Sequence, residues 1–164
     1  MKKLTIDNVD LKDKRVLVRV DFNVPLDSNQ NITNDIRIRA SLPTINKIIN
    51  DGGKAILMSH LGRPKGQRKP EFSLKPAAVR LGKMLSTDVL FSDDCIGESV
   101  MNTVNSIKPG DVLLLENVRF HKGETKNDPD FANAINVWRE FAKPWDMAMR
   151  GLDFIKKMSQ NHGL

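Results

Sequence analysis

Several features that commonly stabilise or anchor a chain are scarce in this sequence. Cysteine occurs once among the 164 residues, at Cys95, which excludes an internal disulfide framework and favours a reducing compartment. Tyrosine is absent and aromatic residues make up 5% of the chain, which argues against a platform that stacks single-stranded nucleic acid. No apolar run approaches the ~18 residues of a membrane span, and the opening stretch MKKLTIDNVD lacks the apolar centre of a signal peptide. We therefore expect a cytoplasmic protein whose partners include neither membrane nor nucleic acid.

Sequence motifs for phosphate loops and metal sites are missing as well. Neither G-x-x-x-x-G-K-[ST] nor G-x-G-x-x-G occurs, so the two common glycine-rich nucleotide loops are excluded. The three histidines and Cys95 lack metal-ligand spacing, and no metal site is predicted. The net charge of +6, from 26 Lys and Arg against 20 Asp and Glu, favours an anionic partner. Because these cations are spread along the chain, nucleic acid is the weaker candidate.

Short apolar runs alternate with stretches of helical spacing along most of the chain. Strands are predicted at the apolar runs RVLVRV, KAILMSH, DVLF and DVLLLE. Helices are predicted at SLKPAAVRLGKML and at IRIRASLPTINKIIN, the latter with a cap at Asn34 or Asp35, a kink at Pro43 and a stop at the glycine pair 52–53. This alternation predicts a three-layer α/β fold around a mainly parallel sheet.

The last part of the chain has a different pattern, without any clear strand. Two apolar stripes at helical spacing lie on either side of Pro144: Phe131, Ile135, Trp138, Phe141 and Ala142, then Trp145, Met149, Leu152, Ile155 and Met158. These stripes predict two amphipathic helices, which make residues 133–164 a helical tail. Their apolar surface either packs on the domain's own core or presents a face to a partner.

Polar residues follow three of the predicted strands: Asp21 and Asn23, then His60 and Arg63, then Asn117, Arg119 and His121. Arg37 lies near the start of the first helix. In an open parallel sheet, ligands bind beyond the carboxyl ends of the strands, so we expect these side chains to converge, and arginine suits phosphate or carboxylate. Each residue also has an ordinary alternative, as a solvated arginine, a hydrogen-bonded core histidine or a turn-forming aspartate or asparagine.

Long motifs in the same order give the sequence a specific resemblance to a known family. The stretches are RVLVRVDFNVPL, ITNDIRIRASLPTI, GGKAILMSHLGRPKG, FSLKPAAVRLGKML and GDVLLLENVRFHKGETKNDPDFA. Together they resemble the N-terminal domain of phosphoglycerate kinase over about residues 4–132. The resemblance implies a Rossmann-like parallel sheet in three layers, incomplete here because residues 133–164 match no part of the family.

The resemblance also implies a substrate and a role for each candidate residue. In this family the N-terminal domain binds 3-phosphoglycerate, and a phosphoryl group passes between 1,3-bisphosphoglycerate and ADP. By motif, Asp21 and Asn23 would contact the glycerate hydroxyl and carboxylate end. Arg37 would bind the carboxyl group and act catalytically by neutralising the transferring phosphoryl. The remaining residues, which would hold the non-transferred 3-phosphate, are His60, Arg63 and Arg119.

The resemblance leaves the activity of the chain itself open. The family uses Mg-ATP or Mg-ADP bound by a separate C-terminal domain, and no stretch of these 164 residues resembles that domain. The sequence is therefore compatible with two functions. The chain is either part of a working phosphotransferase, or a truncated or fused module that binds anions or another protein without catalysis.

Overall fold

The centre of the fold is a four-stranded parallel sheet. The structure is a computed structural model that describes residues 5–138. Its strands are β1 (Arg15–Arg19), β2 (Lys54–Met58), β3 (Val89–Ser92) and β4 (Val112–Leu115). Their order across the sheet is β1-β2-β4-β3, and all three neighbouring pairs are parallel. Each strand lies at a predicted position, and the α/β fold class with a parallel sheet is confirmed.

Five helices accompany the sheet in the described part of the chain. They are α1 (Ile36–Asn50), α2 (Lys75–Leu85), α3 (Glu98–Ser106), α4 (Lys122–Lys126) and α5 (Pro129–Asn136). The sequence pattern predicts α1 and α2 but neither α3 nor α4. Helix α3 buries only Val100 and Val104, and two positions are too few to establish a helical period. None of the helices within residues 5–138 is long and apolar enough to cross a membrane.

Different helices cover the two faces of the sheet. Along β2, Ala55 and Leu57 enter a core with α1 and α2, whereas Ile56 and Met58 enter a second core with α3 and α5. The central strands β2 and β4 are buried almost throughout, as expected for a parallel sheet between two helical layers. Because each buried aliphatic side chain contributes ~1.5–3 kcal/mol, the two cores hold the strand ends firmly in place.

The ends of α1 follow the predicted signals, and the helix includes Pro43 in its interior. Asn34 Oδ1 accepts a hydrogen bond from the Ile36 N–H at 3.0 Å, which satisfies one of the free donors at the helix start. Beyond the helix, a Cβ on Gly53 would lie 2.9 Å from Ile48 Cγ2, so the chain can pass only as glycine. Pro43 does not interrupt α1, which continues as a helix on both sides of the proline.

The beginning of the predicted tail packs on the domain's own core. Helix α5 runs across the predicted boundary at Ala132, and the division into domains at that point stays a prediction. The Trp138 side chain is 3% exposed, and its Nε1–H donates to the Cys95 carbonyl oxygen at 2.8 Å. Trp138 thereby joins the core that α3 covers. The second apolar stripe and the predicted break at Pro144 lie outside the described residues.

Candidate functional site

The strand order brings three loops to one edge of the sheet. Strands β1, β2 and β4 are adjacent and parallel, with Arg19 in register beside Met58. Their carboxyl ends therefore meet at the same edge. We call the segments that follow them, residues 20–24, 59–66 and 116–121, the rim. Five of the six predicted site residues belong to the rim, and Arg37 stands at the start of α1.

A buried polar scaffold supports the rim and consists of Ser73, Glu116 and Asn117. Glu116, 5% exposed, accepts hydrogen bonds from the Ser73 hydroxyl (2.7 Å) and from a backbone N–H at the start of α2 (2.8 Å). Asn117, 1% exposed, donates through Nδ2 to the carbonyl oxygens of Leu61 (2.7 Å) and Phe72 (2.9 Å). The scaffold thus ties the loop between β2 and α2 to the end of β4.

Gly62 joins two candidate residues that are distant in sequence. Its N–H donates to Asn23 Oδ1 at 2.9 Å, and its carbonyl oxygen accepts from Arg119 Nη1 at 3.2 Å. The φ angle of Gly62 is +61°, and a Cβ at this position would lie 2.5 Å from the Phe72 ring. Both conditions require glycine. The backbone of the rim is therefore shaped around the side chains that are candidates for ligand contact.

Asp21 and Arg37 form one end of the candidate site. Arg37 Nη1 lies 2.6 Å from Asp21 Oδ2, and the two side chains are 47% and 57% exposed. Asp21 also accepts a hydrogen bond from the Asn23 N–H at 3.1 Å. An ion pair this exposed contributes little to stability because water screens it. Arg37 can therefore exchange its partner for a ligand carboxylate, and Asp21 can exchange its partner for a ligand hydroxyl, at small cost.

Two arginines that share one carboxylate form the other end. Glu124 Oε1 accepts a hydrogen bond from Arg19 Nη2 at 2.6 Å, and Glu124 Oε2 lies 3.5 Å from Arg119 Nε. The glutamate is 11% exposed, whereas Arg19 and Arg119 are 35% and 28% exposed. We call these three residues the cationic cluster. With two positive charges against one negative, it suits a phosphate group.

His60 lies beside the cationic cluster. Burial lowers the pKa of its imidazole, and the Arg119 and Arg19 guanidiniums lower that pKa further. The Asp21 and Glu124 carboxylates act in the opposite direction with a smaller effect. The ring has no hydrogen-bond partner among the residues that the structure describes. The hydrogen bond that a core histidine would make is therefore not found for His60 in the described part of the chain.

Arg63 differs from the other candidates because it extends into solvent. It is exposed and makes no ion pair or hydrogen bond to another described residue. Arg63 is placed near the other candidates only because it follows Gly62 in the chain. The other five predicted residues are linked by hydrogen bonds or by close charges: Asp21, Asn23, Arg37, His60 and Arg119.

Sequence reasoning missed two residues of this site, Arg19 and Glu124. Arg19 is the last residue of β1 and lies within the predicted strand RVLVRV, so a rule that considers only residues beyond the strand does not reach it. Glu124 has no local signal either. It lies 105 residues from Arg19 in sequence, on a helix of five residues, and only the fold brings the two together.

A group of metal-ligand types joins the rim residue His121 to Asp94 and Cys95, which follow β3, although the sequence shows no ligand spacing. Asp94, Cys95 and His121 present ligand atoms within 4.8 Å of one another. Their groups are already engaged, since His121 Nε2 lies 2.6 Å from Asp94 Oδ1 and Arg68 pairs with the same carboxylate at 3.1 Å. Burial raises the pKa of the Cys95 thiol, and thiol ligands do not suit Mg²⁺. This cluster therefore does not suit the magnesium of a bound nucleotide.

Comparison with known proteins agrees with the resemblance seen in the sequence. A family model described as phosphoglycerate kinase matches residues 6–146. The phosphoglycerate kinase of Geobacter metallireducens is 60% identical over 131 residues, which are 79% of this chain and 33% of that protein. The enzyme of Chloroherpeton thalassium is 57% identical over 135 residues, or 82% of this chain and 34% of that protein.

Solved structures give the same family. Phosphoglycerate kinase from Coxiella burnetii superposes with a TM-score of 0.70 and 40% identity, over 80% of this chain and 32% of that one. The protein from Pyrococcus horikoshii gives a TM-score of 0.75 and 25% identity, over 84% of this chain and 35% of that one. The chain thus spans about a third of the length of the relatives it matches. Since the family model covers most of its residues, the chain belongs to the phosphoglycerate kinase family.

Proposed function

We propose that this chain is the 3-phosphoglycerate-binding part of a cytoplasmic phosphoglycerate kinase, which transfers a phosphoryl group between 1,3-bisphosphoglycerate and ADP in glycolysis. The observation that carries the proposal is the meeting of cations at the carboxyl ends of three parallel strands. Arg37 stands at one end of the site, and the cationic cluster with His60 stands at the other. A ligand with a carboxylate at one end and a phosphate at the other matches this distribution of charge.

The proposal assigns the two ends of the site to the two ends of the substrate. Arg119, His60 and Arg63 would hold the 3-phosphate, and Asp21 with Asn23 would contact the glycerate hydroxyl and carboxylate end. Arg37 would bind the carboxyl group and offset the charge of the phosphoryl group in transit. Positioning and charge neutralisation of this kind supply most of the catalysis in phosphoryl transfer.

The direct test is calorimetric titration of the 164-residue chain with 3-phosphoglycerate. Glycerate and inorganic phosphate serve as half-ligands, each of which engages only one end of the site. We expect 3-phosphoglycerate to bind more tightly than either, and Arg119→Ala to weaken it about tenfold or more, the scale of a charge-assisted hydrogen bond. Arg39→Ala is the matched control, because Arg39 is 59% exposed and pairs with Asp35 on α1. No heat of binding with wild-type chain would refute the proposal.

A second function fits the same site, namely binding of 3-phosphoglycerate or a similar anion without catalysis. Phosphoryl transfer needs a magnesium–nucleotide in line with the acceptor, and the one cluster of metal-ligand types found among the described residues contains a thiol, which does not suit magnesium. We therefore expect the chain alone, supplied with Mg-ATP and 3-phosphoglycerate, to show no turnover in a coupled assay. Turnover at ~1–100 per second, the usual range for kinases, would show that the chain carries its own nucleotide site.

A further inference from the structure

Glu124 is an unexpected residue at a site for an anion. A carboxylate beside a phosphate repels it, yet Glu124 is 11% exposed and faces both arginines of the cationic cluster. An isolated carboxylate this deeply placed would be costly. Its position therefore needs a reason, and the two arginines that it contacts supply one.

The contacts of Arg119 show what Glu124 does there. Arg119 turns Nη1 toward the Gly62 carbonyl oxygen at 3.2 Å, and its Nε lies 3.5 Å from Glu124 Oε2. That Nε is buried and makes no hydrogen bond within residues 5–138, so the nearby carboxylate offsets its charge. Arg19 uses Nη2 for the same glutamate at 2.6 Å. Without Glu124, two like charges would face each other across the rim and separate.

The helix that carries Glu124 is firmly anchored. Gly123 has no room for a side chain, because a Cβ would lie 2.6 Å from Phe131 Cβ in α5. The Gly123 carbonyl oxygen accepts the Asp128 N–H at 2.9 Å, and the His121 ring stacks on Phe131 with centroids 5.4 Å apart. A carboxylate on such a support can impose its geometry on the two arginines.

We propose that Glu124 is a positioning residue of the phosphate end, which holds Arg19 and Arg119 close together with their remaining N–H groups free for a phosphate. The inference rests on the proposed function, because the phosphate is that of 3-phosphoglycerate. Glu124 acts through the arginines and does not touch the ligand. Its net effect on affinity is favourable, since the orientation of two arginine forks outweighs the repulsion from one carboxylate.

The test is a double-mutant cycle on 3-phosphoglycerate affinity in the full chain, with Glu124→Gln, Arg119→Ala and the combined variant. Glu124→Gln keeps the size of the side chain and removes its charge. We expect this single substitution to weaken the binding of 3-phosphoglycerate about tenfold. In a chain that already carries Arg119→Ala, the same substitution should weaken binding little further, because the effects of coupled residues are not additive. Glu98→Gln on α3 is the matched control, since Glu98 is exposed.

A second readout separates positioning from a purely structural role. Inorganic phosphate should bind more weakly to Glu124→Gln than to wild type, whereas glycerate should bind equally well to both, because Glu124 contacts only the two arginines of the phosphate end. A purely structural role would weaken the binding of both half-ligands alike.

The outcomes distinguish the inference from the proposed function. Wild-type chain that does not bind 3-phosphoglycerate would overturn the proposed function and the inference with it. If the wild-type chain binds 3-phosphoglycerate and Glu124→Gln binds it equally or more tightly, the inference is overturned and the proposed function stands. An undiminished loss from Glu124→Gln beside Arg119→Ala would also overturn the inference, as would a loss of glycerate binding as large as the loss of phosphate binding.

Discussion

The buried polar scaffold and the exposed arginines of the candidate site hold polar groups in opposite environments. Glu116 and Asn117 are 5% and 1% exposed, and their polar atoms are occupied by partners within the fold. Arg37 and Arg63 are exposed, and only the first has a partner among the described residues. The difference shows two uses of polarity. A buried, saturated group gives the loops their shape, and an exposed group with free N–H donors is available to a ligand.

Trp138, which lies in the core outside both regions, gives a reference for how much stability is lost when a large buried side chain is removed. We expect Trp138→Ala to lower the free energy of unfolding by ~3–5 kcal/mol, the usual cost of removing a large aromatic group from a core. The measurement is urea unfolding at equilibrium. Val137→Ala is the control, because Val137 is 58% exposed. Equal, small losses in both variants would mean that the beginning of the tail is not part of the core.

The scaffold should respond next most strongly. Asn117→Ala removes donors from two carbonyl oxygens and an acceptor from the Arg119 N–H. We expect a loss of about 2–4 kcal/mol in the free energy of unfolding, since each buried polar group left unsatisfied costs ~1–3 kcal/mol. Asn102→Ala on the exposed side of α3 should be nearly neutral. If both variants unfold like the wild type, the scaffold does not hold the rim.

The rim should show the opposite behaviour. We expect Arg63→Ala to weaken 3-phosphoglycerate binding by ~1.5–3 kcal/mol, the value of a charge-assisted hydrogen bond, with almost no change in unfolding. The reason is that Arg63 is exposed and makes no hydrogen bond or ion pair to another described residue. Calorimetry and urea unfolding on the same preparation give both numbers. Unchanged affinity would remove Arg63 from the site, and a clear loss of stability would place it with the scaffold.

The smallest expected effect is the pH dependence that His60 adds to stability. Its pKa in the folded chain is lowered from the ordinary 6.5 by burial and by Arg119 and Arg19. The unfolded chain therefore binds this proton first as pH falls, so the free energy of unfolding should decrease below about pH 6.5 and keep decreasing through the folded pKa. Unfolding of wild type and His60→Gln between pH 8 and pH 5 measures the difference. Parallel curves for the two proteins would contradict it.

Local pattern was sufficient to predict much of this fold. Apolar runs predict all four strands, and the spacing of apolar residues predicts α1 and α2. The pattern does not reveal α3, where two buried valines are too few to define a period, or the five residues of α4. Helix α1 continues through Pro43 because Ile38, Ile45 and Ile48, on either side of the proline, are buried in the core, and packing outweighs propensity.

Most of the candidate site could be anticipated as well, because ligands gather at the ends of parallel strands. The rule predicts that Asp21, His60 and Arg119 lie near one another before any contact is known. The same rule says nothing of distance, burial or partner. It could not separate Arg63, which is exposed and without a described partner, from Arg119, which is tied to Gly62 and Glu124.

By itself, the sequence determined the kind of fold and the family, because both depend on local spacing and on motifs read in order. Tertiary structure decided which strands are neighbours: the order β1-β2-β4-β3 places the ends of β1, β2 and β4 side by side. It also decided that Glu124 faces Arg19 across 105 residues of chain. Contacts at such separation form only when two cores have packed the intervening helices, so no local pattern encodes them.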